Sequence, residues 1–218
     1  MTLRQPEVDG SSMRDYYESY WRGDAPPPVG DRLAPTRLRL LRECIATVDA
    51  ENVLEMGCGE GGLTAALAAD GLAAIGIDIS AEAVARAVRA HPTCRFMQHQ
   101  VEDRPWPVAQ GAFDVVASFE VIEHLLRPRE LLLGARTALR DGGHIAITTP
   151  YHGIAKNLTM ALRGFDRHFA VEGEHIRFFT DNALQRLLDE AGFDVLRLAH
   201  FGRFAPLWAG VFVWARKR

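Results

Sequence analysis

The stretch from Asn52 to Thr64 restricts the possible folds more than any other part of the sequence. A short apolar run ends at Glu55, glycines follow at positions 57, 59, 61 and 62, and a second apolar run begins at Leu63. Glycine is needed where a side chain would block a ligand or where φ must be positive. The stretch therefore predicts a strand, a glycine-rich turn and a helix, which together present backbone N–H groups to a nucleotide-like ligand.

A second predicted strand, residues 73–77, ends immediately before Asp78, which lies 21 residues after Gly57. A carboxylate at this spacing can accept two hydrogen bonds from the diol of a ribose. The alternative is that Asp78 only caps the helix that follows it.

Apolar runs and helical patterns alternate along most of the chain, which favours a parallel sheet covered on both faces. We expect an α/β fold with a Rossmann-like, doubly wound, mostly parallel seven-stranded sheet and an antiparallel C-terminal edge. The predicted strands are 52–56, 73–77, 94–98, 114–118, 144–149, 193–201 and 208–215. The predicted helices are 36–48, 62–70, 80–90, 154–162 and 180–191, with one more from Pro128 that Asp141, Gly142 and Gly143 end.

Two segments lie outside this alternation. Residues 1–35 form a predicted lid or linker, with an aromatic part that contains Tyr16, Tyr20 and Trp21 and a proline-rich part at 25–30. The aromatic residues could instead serve only in packing. Residues 36–218 form the main domain. Within it, residues 150–179 are too long for an ordinary strand-to-helix connection, and we interpret them as a cap over the substrate.

Composition limits the classes of function. The 218 residues suit one domain, and a net charge of −3 gives no reason to expect a nucleic-acid partner. Three cysteines without metal-ligand spacing, no signal peptide and no apolar run of membrane-spanning length predict a cytoplasmic protein without an integral membrane segment. The oligomeric state stays open.

The glycines alone fit two kinds of cofactor site. Gly57, Gly59 and Gly62 match the dinucleotide fingerprint, whereas Gly57, Gly59 and Gly61 match the version found in methyltransferases. Glu55 favours the second, because a carboxylate two residues before the first glycine would repel a pyrophosphate but could hold a cationic ligand. Glu55 could also cap the helix after the turn.

Further segments at Phe113–Leu125 and Leu139–Ile147 complete a recognisable set of motifs. With them, residues 36–200 resemble the class I S-adenosylmethionine-dependent methyltransferases, and most of all the ubiquinone-pathway O-methyltransferases and their small-molecule relatives. The resemblance implies S-adenosyl-L-methionine as the cofactor. It places Glu102 or Asp103 near the adenine amine and Val101 against the ring; the alternative is that these acids are solvated residues of the loop. The full predicted cofactor set is Glu55, Gly57, Cys58, Gly59, Gly61, Asp78, Ile79, Val101, Glu102, Asp103 and Phe119.

Glu120, Glu123 and His124 follow the fourth strand at a spacing that puts them on one face of a helical turn. In the ubiquinone-pathway enzymes, the matching pattern has been linked to a divalent metal, here Mg²⁺, and to substrate orientation. His124 is also a candidate general base for a hydroxyl proton. The alternative is that these residues only close the turn.

The predicted cap supplies the remaining candidates. His152, His168 and His175 are possible general bases, although a lone histidine is more often structural. Tyr151, Arg167 and Arg177 join Tyr16, Tyr20 and Trp21 as predicted substrate contacts. The arginines could bind an acidic group or could be surface charges.

The sequence as a whole predicts an enzyme that transfers the methyl group of S-adenosylmethionine to a small-molecule acceptor, most simply at a hydroxyl oxygen. Nitrogen, carbon and carboxylate acceptors are alternatives within the same class. A nicotinamide-dependent oxidoreductase and a non-catalytic cofactor-binding subunit are alternatives from other classes.

Overall fold

A computed structural model describes residues 10–23, 31–163 and 176–218 of the chain. The strands are β1 Asn52–Met56, β2 Ala73–Asp78, β3 Arg95–Gln98, β4 Phe113–Phe119, β5 Leu139–Pro150, β6 Phe193–Phe201 and β7 Gly210–Lys217. The α-helices are α1 Gly10–Arg22, α2 Ala34–Ile45, α3 Gly62–Ala69, α4 Ala81–Ala90, α5 Pro128–Ala138, α6 Ile154–Arg163 and α7 Asp181–Glu190. A 3₁₀ turn covers Ile122–His124.

The seven strands form one sheet in the order β3-β2-β1-β4-β5-β7-β6. β1 to β5 run parallel to one another, and β7 pairs antiparallel with both β5 and β6. The predicted α/β fold with its antiparallel C-terminal edge is therefore confirmed. The strand order changes direction at β1 and β4, and the carboxyl ends of strands flanking such a switch point form the crevice in which open α/β sheets bind ligands.

The hydrophobic core lies on both faces of the sheet. Successive strand residues point to opposite faces, so Val53 packs with Leu41 and Phe212 on one face, while Leu54 packs with Leu132 on the other. Because both faces are covered, the strands read as nearly continuous apolar runs.

The end of α5 differs from the prediction. The helix ends at Ala138 and β5 starts at Leu139, so Asp141, Gly142 and Gly143 lie inside the strand instead of ending the helix. The pairing along β4 jumps from Leu139 to His144 between Phe113 and Val115. This irregularity accommodates the glycines, which sequence periodicity could not distinguish from a helix stop.

Smaller differences concern element ends. α2 begins two residues earlier and ends three residues earlier than expected, and β7 runs from Gly210 to Lys217 instead of 208–215. The aromatic part of the N-terminal segment is helical and forms α1. Across the described ranges, no helix has the length and apolar character needed to cross a membrane.

Candidate active site

A cleft of about 670 Å³ opens at the carboxyl ends of the central strands. Its walls combine motif residues with residues of the N-terminal segment. The motif residues are Gly57, Gly59, Asp78, Ile79, Gln100, Val101, Glu102, Phe119, Glu120, Val121, His124 and Leu125. The N-terminal residues are Met13, Tyr17, Tyr20, Trp21, Asp31, Leu33 and Arg37.

The glycine-rich turn forms the floor of the cleft. Gly59 has a φ of 51°, and a Cβ at this position would lie 3.2 Å from the Trp21 ring. Gly61 has a φ of 79° and precedes α3, where a Cβ would come within 2.5 Å of the Phe96 ring. Gly59 therefore allows the Trp21 ring to pack against the turn inside the cleft, whereas Gly61 allows tight packing with Phe96 outside it.

Asp78 joins the turn to the start of α4. Its carboxylate accepts hydrogen bonds from the backbone N–H of Gly59 at 2.9 Å and of Ser80 at 3.0 Å. Burial raises the pKa of Asp78 above its usual value, although the backbone hydrogen bonds act against this shift. Asp78 lines the cleft, and each carboxylate oxygen has a second lone pair that could accept a hydrogen bond from a ligand diol.

Glu55 takes the position of the helix cap that the sequence offered as its alternative role. Its carboxylate accepts hydrogen bonds from the backbone N–H of Thr64, at 2.8 Å, and from the Thr64 hydroxyl. Burial raises the pKa of Glu55 to about 8. Neither Glu55 nor the buried Cys58 lines the cleft, so their contact with a cofactor stays a prediction.

The structure distinguishes between Glu102 and Asp103, the two acids after β3 that the sequence left as alternatives. Gln100, Val101 and Glu102 line the cleft. The buried Glu102 also accepts a hydrogen bond from the backbone N–H of Arg127. Asp103 lies outside the cleft and is half exposed, with its carboxylate 3.8 Å from the Arg127 guanidinium. Glu102 is thus the better placed candidate for a ligand contact.

Phe119, Glu120 and His124 lie together at the end of β4 and line the cleft. Glu120 has a φ of 55°, a strained backbone region for a residue with a side chain. The Thr148 hydroxyl donates to its carboxylate at 2.8 Å, and the Arg37 guanidinium lies 3.7 Å from the same oxygen. These contacts hold the strained turn in place.

Arg37 is buried at this end of the cleft and also forms an ion pair with Asp31. Burial lowers the pKa of its guanidinium, and the charges of Glu120 and Glu123 act in the opposite direction. A buried charge is tolerated only when it is paired, and Asp31 and Glu120 supply the pairing.

Glu123 does not line the cleft, although its carboxylate lies 3.8 Å from the His124 imidazole. It is fully buried, and neither carboxylate oxygen has a hydrogen-bond partner among the described residues. Burial and the Glu120 charge raise its pKa well above the usual value.

This arrangement does not fit the predicted Mg²⁺ site. Residues 10–23, 31–163 and 176–218 contain no group of three or more His, Cys, Asp or Glu side chains that could hold a metal. Glu120 is paired with Arg37, and Glu123 does not line the cleft with His124. A hard divalent ion needs several oxygen ligands that converge, and Glu120, Glu123 and His124 do not provide them.

α1 supplies one side of the cleft through Met13, Tyr17, Tyr20 and Trp21. The Tyr17 ring meets the His124 ring edge to face, with centroids 6.1 Å apart. The predicted contact Tyr16 lies outside the cleft and packs on Tyr17.

The described part of the predicted cap makes structural contacts outside the cleft. Tyr151 packs on the His200 ring at 4.6 Å, and His152 lies 3.2 Å from Asn157 Oδ1. Arg177 donates to the backbone carbonyls of Leu125 and Leu126. His168, His175 and Arg167 lie outside the described residues, and the substrate role of the cap stays a prediction.

The cleft also contains residues that the sequence reasoning missed, namely Met13, Tyr17, Asp31, Leu33, Arg37, Gln100, Val121 and Leu125. A signal was present for Arg37, because it shares a helical face with the buried residues Leu41 and Cys44. A charge on the apolar face of a helix indicates a partner in the folded protein. Tyr17 gave no such signal, because the sequence does not distinguish it from the aromatic residues around it.

Comparison with known proteins gives consistent matches. A family model described as a methyltransferase domain matches residues 27–198. A ubiquinone biosynthesis O-methyltransferase of Cronobacter sakazakii is 34% identical over 137 residues, which cover 61% of this chain and 56% of that protein. The enzyme of the same description from Vibrio parahaemolyticus is 27% identical over 201 residues, which cover 87% of this chain and 84% of that protein.

Among solved structures, the magnesium protoporphyrin IX methyltransferase of Synechocystis PCC 6803 with bound SAH is 18% identical and has a TM-score of 0.72. The match covers 96% of this chain and 100% of that one. At this identity the likeness shows the shared fold.

Proposed function

The chain belongs to the methyltransferase domain family and is an S-adenosylmethionine-dependent methyltransferase, and we propose that it methylates a hydroxyl oxygen of a small molecule. The oxidoreductase is therefore a wrong interpretation of the glycine pattern, and the alternative of a non-catalytic cofactor-binding subunit is also wrong. The observation that carries the choice of acceptor is the position of His124, which lines the same cleft as Gly59 and Asp78. O-methylation by the similar enzymes of ubiquinone biosynthesis supports the same choice.

We propose that the cofactor lies across the glycine turn. Asp78 accepts hydrogen bonds from the ribose diol, while Val101 and Glu102 contact the adenine. Gly59 lines the cleft beside Trp21 and carries no side chain, so the methionine moiety can approach its backbone. When bound, S-adenosylmethionine supplies a methyl group that its sulfonium has already activated.

The residues at the other end of the cleft align the acceptor and take its proton. An imidazole is a common general base in enzymes, so His124 can remove the proton of a phenol or alcohol as the oxygen is methylated. Tyr17 and Trp21 cover this space and exclude water. Alignment of the acceptor with the activated methyl group can supply several kcal/mol, up to roughly 7–11 kcal/mol, of the barrier reduction.

The charges near His124 favour a neutral acceptor. Arg37 is paired with both Asp31 and Glu120, so its positive charge is already compensated. An acidic group on the acceptor would have to compete with these two carboxylates. A neutral hydroxyl compound would not meet this cost.

Methyl transfer from labelled S-adenosylmethionine to a panel of neutral phenols, alcohols, amines and carboxylic acids tests the proposal. His124→Ala should lower the rate with the accepted compound by about 10²-fold or more, the scale of a missing general base. His144→Ala is the matched control, because His144 stacks on Trp214 at 4.8 Å and does not line the cleft. Turnover of amines or acids only, or equal rates for both variants, would contradict the proposal.

A further inference from the structure

Glu18 connects the N-terminal helix to the main domain. Its carboxylate accepts hydrogen bonds from the backbone N–H groups of Ala81 and Glu82 and from the Ser80 hydroxyl. The Ser80 and Glu82 contacts measure 3.1 Å and 3.2 Å. All three donors belong to the start of α4, about 62 residues further along the chain.

These contacts supply what the start of α4 lacks. The first N–H groups of a helix have no partner within the helix, and the side chain of Ser80, the N-cap, accepts from Ala83. Glu18 accepts from the two N–H groups before Ala83, at the helix end that favours an anion. Burial raises the pKa of Glu18, but the three hydrogen bonds and the Arg22 charge outweigh this and lower it below the usual value.

The same helix covers the glycine turn. Trp21 lies next to Gly59, and Tyr17 contacts the His124 ring. Ser80 links this attachment to Asp78, because its backbone N–H donates to Asp78 while its hydroxyl donates to Glu18. Ser80 therefore contacts both Glu18, which attaches α1, and Asp78, which lines the cleft.

We propose that Glu18 is a positioning residue that fastens α1 over the bound cofactor and thereby sets how long the cofactor stays bound. The carboxylate acts through Tyr17 and Trp21, which it holds over the cleft, and does not itself touch the reacting atoms. With the carboxylate in place, α1 blocks the way out past the glycine turn. When its contact with α4 breaks, α1 moves and the cofactor leaves.

The test is the dissociation rate of S-adenosylhomocysteine, measured by stopped-flow displacement of a fluorescent analogue from the full-length protein. Glu18→Gln should speed dissociation about tenfold, the scale expected for losing a charged helix cap. The melting temperature should stay near that of the wild type, since α1 lies outside the two large core clusters.

Glu82→Gln is the matched control. It removes a carboxylate from the same end of α4, but the Glu82 side chain pairs with Arg86 and Arg89 and leaves α1 untouched. The proposal would be overturned if Glu18→Gln and Glu82→Gln had equal dissociation rates, whether both stayed near the wild-type rate or both rose tenfold.

A second measurement follows α1 directly. Bound S-adenosylhomocysteine should protect wild-type Arg14 and Arg22, both on α1, from trypsin. Glu18→Gln should lose that protection at saturating ligand, whereas Glu82→Gln should keep it. Protection retained in Glu18→Gln would show that other contacts hold the helix and would overturn the proposal.

Discussion

Buried acids at the two ends of the sheet have pKa values shifted in opposite directions. At the carboxyl ends, burial raises the pKa values of Glu55 and Asp78. At the amino end of β4, Asp114 accepts from the N–H groups of Glu51 and Asn52, each at 2.8 Å, and pairs with Arg140. Burial also raises the pKa of Asp114, but these hydrogen bonds and the Arg140 charge outweigh it, so the net shift is downward.

The difference separates stability from binding. In the described part of the chain, no cation is among the groups that shift the pKa of Glu55 or Asp78. A buried acid without a cation costs stability, and proteins keep such costs where function needs them. Asp114 has backbone hydrogen-bond donors and a paired cation, Arg140, so it stabilises the opposite end of the same sheet.

The largest expected effect tests whether the carboxyl end is the binding end. Gly59→Val should weaken S-adenosylhomocysteine by at least about 10²-fold, because its side chain enters the cleft and its backbone is strained. Gly71→Val is the control, since Gly71 also has a positive φ, 91°, but has open space around it. Calorimetric titration would contradict the assignment if both variants bound equally well.

Replacing Asp114 should affect only stability. Asp114→Ala leaves two backbone N–H groups and Arg140 without their acceptor, which should lower the free energy of unfolding by about 2–4 kcal/mol at pH 7. Because the folded pKa is depressed, this contribution is present above the unfolded pKa and disappears as the pH falls through the folded value. Urea denaturation at several pH values measures it, and S-adenosylhomocysteine affinity should not change.

Replacing Asp78 should mainly affect binding. Asp78→Ala should weaken S-adenosylhomocysteine by about 1–3 kcal/mol, the cost of losing hydrogen bonds to a charged acceptor. Unchanged affinity in titration would remove Asp78 from the proposed cofactor site. A loss of stability as large as that of Asp114→Ala would erase the contrast between the two ends.

A further prediction concerns the sign of the pH dependence of stability. The raised pKa of Glu55 means that its ionisation destabilises the folded protein. The free energy of unfolding therefore falls as the pH rises from the ordinary Glu pKa of 4.5 to about 8. Glu55→Gln should flatten that decline, which amounts to at most about 1.4 kcal/mol per pH unit. Urea denaturation between pH 5 and 8 measures the slope, and an unchanged slope would place the ionisation elsewhere.

Much of the fold could be predicted because its signals are local. The predicted bounds of β1 and β6 coincide with those of the structure, since apolar runs there end at polar or glycine residues. The glycine turn and Asp78 were also evident from spacing. The end of α5 was not, because Asp141–Gly143 can either stop a helix or form an irregular part of a strand.

The sequence by itself determined the seven-stranded α/β sheet and the motif end of the cleft, because periodicity and glycine spacing act over a few residues. Only the tertiary structure decided between neighbours, placing Tyr17 and not Tyr16, and Glu102 and not Asp103, in the cleft. A step of one residue along a helix or turn redirects the side chain, and the direction that counts depends on how the element packs. Arg37 and Glu18 reached their roles in the same way, through partners that only folding brings near.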